Sequence, residues 1–178
     1  MKPHKIWWAS SALETMSKIS LDQIKKLRAK TRAGVMDCRQ ALQESGGDMA
    51  KAEEWLRGKG IKSAAKKADR ATCYGRVETY THGPNNLVSV VELLCETDFV
   101  AKTDEFKNLA HELAMQVAAM KPKNIEELLK QPWIRDEKII IEDLIKEAIG
   151  KVGENIKVGR IARFELGEVV NKNKQISK

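Results

Sequence analysis

The residues of this chain with chemistry to offer are three histidines, three cysteines and twenty-five carboxylates. Their spacing decides what that chemistry could be. Cys38, Cys73 and Cys95 are odd in number, far apart and free of any C-x-x-C pattern. A zinc site or a disulfide framework needs closer and more numerous ligands, so reduced thiols in a cytoplasmic protein are expected. His82 falls in a turn cluster and His111 on a polar helix face, and both read as solvated side chains. Glu92 and Glu96 lack the converging partner that a general acid and base pair requires. No G-x-S-x-G, H-E-x-x-H or glycine-rich phosphate loop is present. The expectation is a protein that is not an enzyme, with no catalytic residues, no metal site and no cofactor.

One stretch remains, Leu94-Cys95-Glu96-Thr97-Asp98-Phe99-Val100-Ala101-Lys102. It sets an acid and a bulky aromatic side by side where a buried strand ends and a helix begins. Two readings are open. Phe99 and Val100 plug the top of the core, or Phe99 is a wedge presented to a partner.

The elements that must position this corner follow from periodicity. Leu87 to Leu94 reads as a buried strand, the return arm of a hairpin whose first arm is Arg76 to Thr81 and whose turn is His82-Gly83-Pro84-Asn85-Asn86. Thr103 caps a helix bearing Phe106, Leu109, Ala110, Leu113, Ala114 and Val117, closed by Pro122. Asn124 and Glu127 form a capping box for a short helix. Asp136 is expected to open a further helix bearing Ile139, Ile140, Leu144, Ile145, Ala148 and Ile149. Ile156 to Leu166 ends in an alternating strand that joins the hairpin. This half reads as β-β-α-α-α-β, an α+β unit with a three-stranded antiparallel sheet.

Upstream lie three short helices. Ser20 and Gln23 make a capping box for the first, which carries Leu21, Ile24 and Leu27. The second covers Val35 to Glu44 and stops at Ser45-Gly46-Gly47. Asp48 caps the third, with stripe Met49, Ala52, Trp55 and Leu56 and with Gly58 and Gly60 as its expected end. Residues 61–70 are rich in alanine and lysine and read as a solvated helical linker.

Charge is concentrated in this region. The chain carries +7 overall, and residues 18–70 hold 14 Lys/Arg against 7 Asp/Glu, so the rest is neutral. The basic face is either a solvated helix surface or a footprint for an anionic partner, RNA or an acidic protein face. Stacking aromatics would favour RNA, but the one available, Trp55, lies on the apolar stripe. No apolar run approaches the ~20 residues of a membrane helix. Residues 1–18 read as an extension, either preceding a true start at Met16 or forming a disordered arm; a transit peptide fits less well, because this segment has no arginine.

Leu27-Arg28-Ala29-Lys30-Thr31-Arg32-Ala33-Gly34-Val35-Met36-Asp37-Cys38-Arg39-Gln40-Ala41-Leu42 resembles the N-terminal signature of the bacterial translation elongation factor Ts family. Gly47-Asp48, Trp55-Leu56 and Lys59-Gly60 continue it. Glu96-Thr97-Asp98-Phe99-Val100-Ala101 is similar to the family's second signature. Gly153-Glu154-Asn155-Ile156 and Arg160-Ile161-Ala162-Arg163-Phe164 are similar to its closing segment. The resemblance runs from residue 19 to 168 in the family's order.

It implies a ubiquitin-associated (UBA)-like three-helix module at 19–58, a basic helical linker at 59–75 and an α+β core at 76–170, between the extension at 1–18 and a polar tail at 171–178 that is expected to be disordered. It implies guanine-nucleotide exchange on elongation factor Tu, bound in its GDP and nucleotide-free forms. Arg28, Val35 and Met36 fall at positions matching contacts to the GTPase domain. Thr97, Asp98, Phe99 and Val100 match the corner that reaches the magnesium end of the nucleotide site, with Phe99 as the wedge. With a single core unit, a homodimer forming a 2:2 complex is implied; neither membrane nor direct nucleic-acid binding is expected. The alternative is an RNA- or ribosome-binding module. Two departures stand out: Arg32 replaces the usual glycine, and Thr72-Cys73-Tyr74-Gly75 replaces the usual Ala-Ala-Glu-Gly.

Overall fold

The computed structural model describes residues 19–31 and 33–168. The extension at 1–18, the tail at 171–178 and Arg32 lie outside the described residues. The architecture is α+β, with N-terminal helices followed by a three-stranded antiparallel sheet packed with helices. The chain divides into two compact units between Ser63 and Ala64.

The first unit holds α1 (Leu21–Thr31), α2 (Val35–Glu44) and most of α3 (Met49–Ala65). The reciprocal cap at Ser20 forms as its sequence predicts: Gln23 N donates to Ser20 Oγ at 3.1 Å and Ser20 N donates to Gln23 Oε1 at 2.9 Å. Ile24, Leu27, Cys38, Ala41, Leu42 and Ala52 close a small core, with Trp55 and Leu56 packed against it. Gly46 and Gly47 take positive φ after α2, a region closed to most side chains. Asp48 Oδ1 then accepts from the amides of Ala50 and Lys51 to start α3.

Here the structure corrects the sequence reading. α3 does not end at Gly58 and Gly60 but runs through both to Ala65. A glycine costs a helix interior about 1 kcal/mol relative to alanine, and the flanking lysines and alanines favour helix enough to absorb it. Nor is the whole of 61–70 solvated, since Ala64 is 3% exposed and belongs to the core of the second unit.

The second unit is built on the sheet β1 (Tyr74–His82), β2 (Leu87–Cys95) and β5 (Ile156–Glu165), in the order β1-β2-β5 with every pairing antiparallel. On β2 the residues alternate: Ser89, Val91, Leu93 and Cys95 are buried, their neighbours only partly. The buried set faces α5 (Asp104–Met120), whose Phe106, Leu109, Ala110, Leu113, Ala114 and Val117 fill the core with Ile141, Ile145 and Ile149 of α7 (Ile141–Val152). Burying each large apolar side chain contributes about 1.5–3 kcal/mol. The one hydroxyl in this layer is satisfied, Ser89 Oγ donating to the Ala114 carbonyl at 2.6 Å. Gly75 marks a close approach, because a Cβ there would run into the Leu93 carbonyl oxygen.

Between α5 and α7 come α6 (Ile125–Lys130) and a small hairpin of β3 (Pro132–Trp133) and β4 (Asp136–Ile140). Asp136 therefore opens a strand and not a helix. Ile139, Ile140 and Ile141 form a β-branched run that favours extended backbone. Helix begins only at Ile141, where Glu142 and Asp143 occupy the first turn. Gln116, buried on α5, holds the hairpin: its amide donates to Gln131 Oε1 and the Pro132 carbonyl and its oxygen accepts from Ile134 N. With one further helical turn, α4 (Asp98–Ala101), the order is β-β-α-α-α-β-β-α-β.

Candidate functional site

The corner is a turn held between two threonine caps. β2 ends at Cys95, and Thr97 takes extended backbone as N-cap of α4, its hydroxyl accepting from Val100 N at 3.4 Å. Six residues on, Thr103 caps α5 by accepting from Phe106 N at 3.3 Å, and its own hydroxyl donates back to the Val100 carbonyl at 2.8 Å. Such caps contribute about 1 kcal/mol each. A four-residue helix fixed at both ends has no freedom to roll. Val100 turns into the core at 5% exposed, and Phe99 turns out at 76% exposed.

Asp98 is exposed beside Phe99, and its carboxylate accepts from Lys102 Nζ at 2.7 Å. That hydrogen bond, and then the lysine's charge, hold the Asp98 carboxyl below the usual aspartate range. Beneath the turn Cys95 Sγ donates to the Thr97 carbonyl at 3.1 Å. Burial, with Glu154 nearby, pushes this thiol up, so it stays protonated at neutral pH.

Two further residues support the corner from the loop between α7 and β5. Glu154 accepts from Thr97 N at 3.0 Å and from Thr97 Oγ1 at 2.7 Å. Conversely, Glu96 accepts from Asn155 N at 2.6 Å, and this bond leads the causes that lower the Glu96 carboxyl. The buried Asn155 amide donates to the carbonyls of Ala68 and Arg70, tying the start of the unit to the same loop. Sequence periodicity does not reveal these contacts, which join residues 57 and 59 positions apart. The available signal is that Glu154 and Asn155 sit in a short Gly-Glu-Asn motif after a helix.

The structure thus brings Thr97, Asp98, Phe99 and Val100 into one turn. Arg28, Val35 and Met36 belong to the first unit and lie on its surface, Met36 at 69% exposed. Leu21 is a further exposed apolar residue there. Among the described residues no cluster of His, Cys, Asp and Glu could hold a metal ion, and no helix is long and apolar enough to cross a membrane.

Fold and site together define an α+β protein that presents a small acidic and aromatic turn on a rigid support. Comparison with known proteins makes the assignment specific. The family model described as Elongation factor TS matches residues 96–174, beginning at the corner. Elongation factor Ts of Rippkaea orientalis is 43% identical, the match covering 88% of this chain and 82% of the relative. That of Oleidesulfovibrio alaskensis is also 43% identical, over 85% of this chain and all of the relative. That of Carboxydothermus hydrogenoformans is 41% identical, over 88% and 93% respectively. The chain belongs to the elongation factor Ts family. The first of these alignments spans 203 positions against 178 residues in the chain, so that relative carries residues inside the matched span that have no counterpart here.

Proposed function

We propose that this chain is a guanine-nucleotide exchange factor for elongation factor Tu, acting by binding and not by covalent chemistry. The observation that carries the reading is the exposure of Phe99 beside an ionised Asp98 on a turn capped at both ends, in a member of this family. A side chain of that size left in water, while its neighbour anchors the backbone, is suited to enter a partner.

In this proposal the three-helix unit is a UBA-like module that docks on the GTPase through Arg28, Val35 and Met36. Asp98 and Phe99 then disturb the magnesium end of the nucleotide site, while Thr97 and Val100 keep the turn in shape. Loss of the cation leaves the phosphates of GDP without a countercharge. A factor that binds the nucleotide-free GTPase more tightly than the GDP form must weaken GDP by the same ratio. GTP rebinding reverses the exchange and displaces the factor. The setting is the cytoplasm, and no cofactor is required.

We further propose a homodimer with a 2:2 complex. The face of the sheet turned away from α5 carries Val77, Val88, Val90, Leu94 and Phe164, with Val77 60% and Phe164 61% exposed. A second copy is the occupant that this apolar face fits. Direct nucleic-acid binding forms no part of the proposal: Trp55 packs on the core of its unit with Lys59 Nζ 5.0 Å over its ring, which leaves no free stacking platform there.

The test is release of fluorescent GDP from elongation factor Tu. The unaltered chain is expected to accelerate release, and Phe99→Ala combined with Asp98→Ala to remove most of the effect. No acceleration by the unaltered chain would exclude the proposal, and tight, salt-sensitive RNA binding would then favour the alternative.

A further inference from the structure

We propose that Glu154 is a positioning residue for the corner, supplying from the α7–β5 loop the carboxylate that locks the cap of α4. This rests on the reading of the corner as the acting surface. In an ordinary capping box, the third residue of the helix is Glu or Gln and returns to the N-cap amide. Here that third residue is Val100, which is committed to the core. The N-cap amide of Thr97 therefore has no local acceptor, and Glu154 takes the role across the fold, at 3.0 Å.

The second carboxylate oxygen sets the Thr97 hydroxyl. A threonine hydroxyl has one hydrogen and two lone pairs. Its hydrogen goes to Glu154 Oε1 at 2.7 Å, which leaves the lone pairs to accept from Val100 N. Glu154 thus determines both halves of the cap from which Asp98 and Phe99 project.

The loop is itself fixed. Gly153 ends α7 at φ 83, the buried Asn155 is bonded to two carbonyls, and Asn155 N returns a bond to Glu96. Each strand of this contact gives the other an acid: Glu154 to Thr97, Glu96 to Asn155. A carboxylate just past the negative end of a helix is poorly placed for that helix, so the position serves the corner and not α7.

Glu154→Gln and Thr97→Val test this, with Thr97→Ser as the variant that keeps the hydroxyl. Glutamine keeps one acceptor: with its oxygen facing Thr97 N, its amide nitrogen faces Thr97 Oγ1, so the hydroxyl hydrogen loses its acceptor and the amide of Thr97 loses a charge-assisted partner. In the isolated chain, hydrogen exchange at the Thr97 and Val100 amides is expected to quicken about ten-fold in Glu154→Gln, with α5 core amides unchanged. With elongation factor Tu, the maximal rate of GDP release is expected to fall about ten-fold while the half-saturating concentration moves less than about two-fold. Thr97→Val should behave alike, Thr97→Ser as the unaltered chain, and the double variant no worse than either single one.

Unchanged amide exchange at Thr97 and Val100 overturns the clamp. Loosened amides with undiminished maximal release overturn the positioning role, as does loss of protection spread across the whole unit. If the unaltered chain fails to accelerate release, the exchange reading falls and the positioning role with it, while the amide measurement still decides separately whether Glu154 locks the cap.

Discussion

Phe99 and Val100 are neighbours in sequence and opposites in environment, 76% and 5% exposed. Their effects on stability and on exchange should therefore rank in opposite orders. Phe99→Ala removes little buried area and is expected to shift unfolding by less than about 0.5 kcal/mol, as surface substitutions do. Val100→Ala opens space under the turn and is expected to cost about 1–2 kcal/mol. Urea unfolding followed by circular dichroism measures both; a cost at Phe99 equal to that at Val100 would make Phe99 a core residue. The residue types alone left the two environments open, because a four-residue helix is too short for apolar periodicity to register. What separates them is the pair of threonine caps, of which only the one at Thr103 was legible from spacing. The cap at Thr97 depends on Glu154, a residue far away in the chain.

At the level of elements, most pieces follow local rules and two do not. β2 and α5 lie where an apolar strand run and helical spacing predict. α3 and β4 depart, each because a local signal was outweighed. In α3 a Cβ at Gly58 would meet nothing within 4 Å, and its φ is not positive. Gly58→Ala is thus expected to stabilise the chain by about 1 kcal/mol by restricting the unfolded state; a loss of stability would contradict a helix continuous through this point.

β5 is pinned near its end by Glu165, which accepts from Lys121 Nζ at 2.7 Å and Arg163 Nη2 at 2.6 Å. These bonds hold the Glu165 carboxyl at about 2, against 4.5 when free. A lowered folded pKa means stability present above pH 4.5 and lost as pH falls towards 2. The contribution is small, because the group is solvent-exposed. The thermal midpoint of the unaltered chain should exceed that of Glu165→Gln at neutral pH, with the gap closing over that acid window. A gap that persists at pH 2 would assign the effect to packing instead.

At the scale of the molecule, the apolar outer face of the sheet sets the expected assembly. Val77 and Phe164 share it with Glu92 and Arg160, which pair bidentately at 2.9 and 3.0 Å. In the proposed dimer, an ion pair within this apolar face would add register to the contact. Light scattering at micromolar concentration is expected to give the mass of a dimer, and Val77→Lys with Phe164→Lys that of a monomer. A monomeric unaltered chain with full exchange activity would remove the dimer from the mechanism.

By itself the sequence determined the class of fold, most caps and the two signatures at Leu27–Leu42 and Glu96–Ala101, because these rest on local spacing and residue type. The direction in which Phe99 points, the strand at Asp136, the passage of α3 through two glycines and the Glu154–Thr97 contact were decided only in the tertiary structure. Each depends on groups distant in the chain: the core that draws in Val100, the Pro132–Trp133 strand that pairs with β4, the core site that takes Ala64, and a loop 57 residues away that completes a cap. Local propensity amounts to tenths of a kcal/mol per residue, and a single buried side chain or charge-assisted hydrogen bond outweighs it.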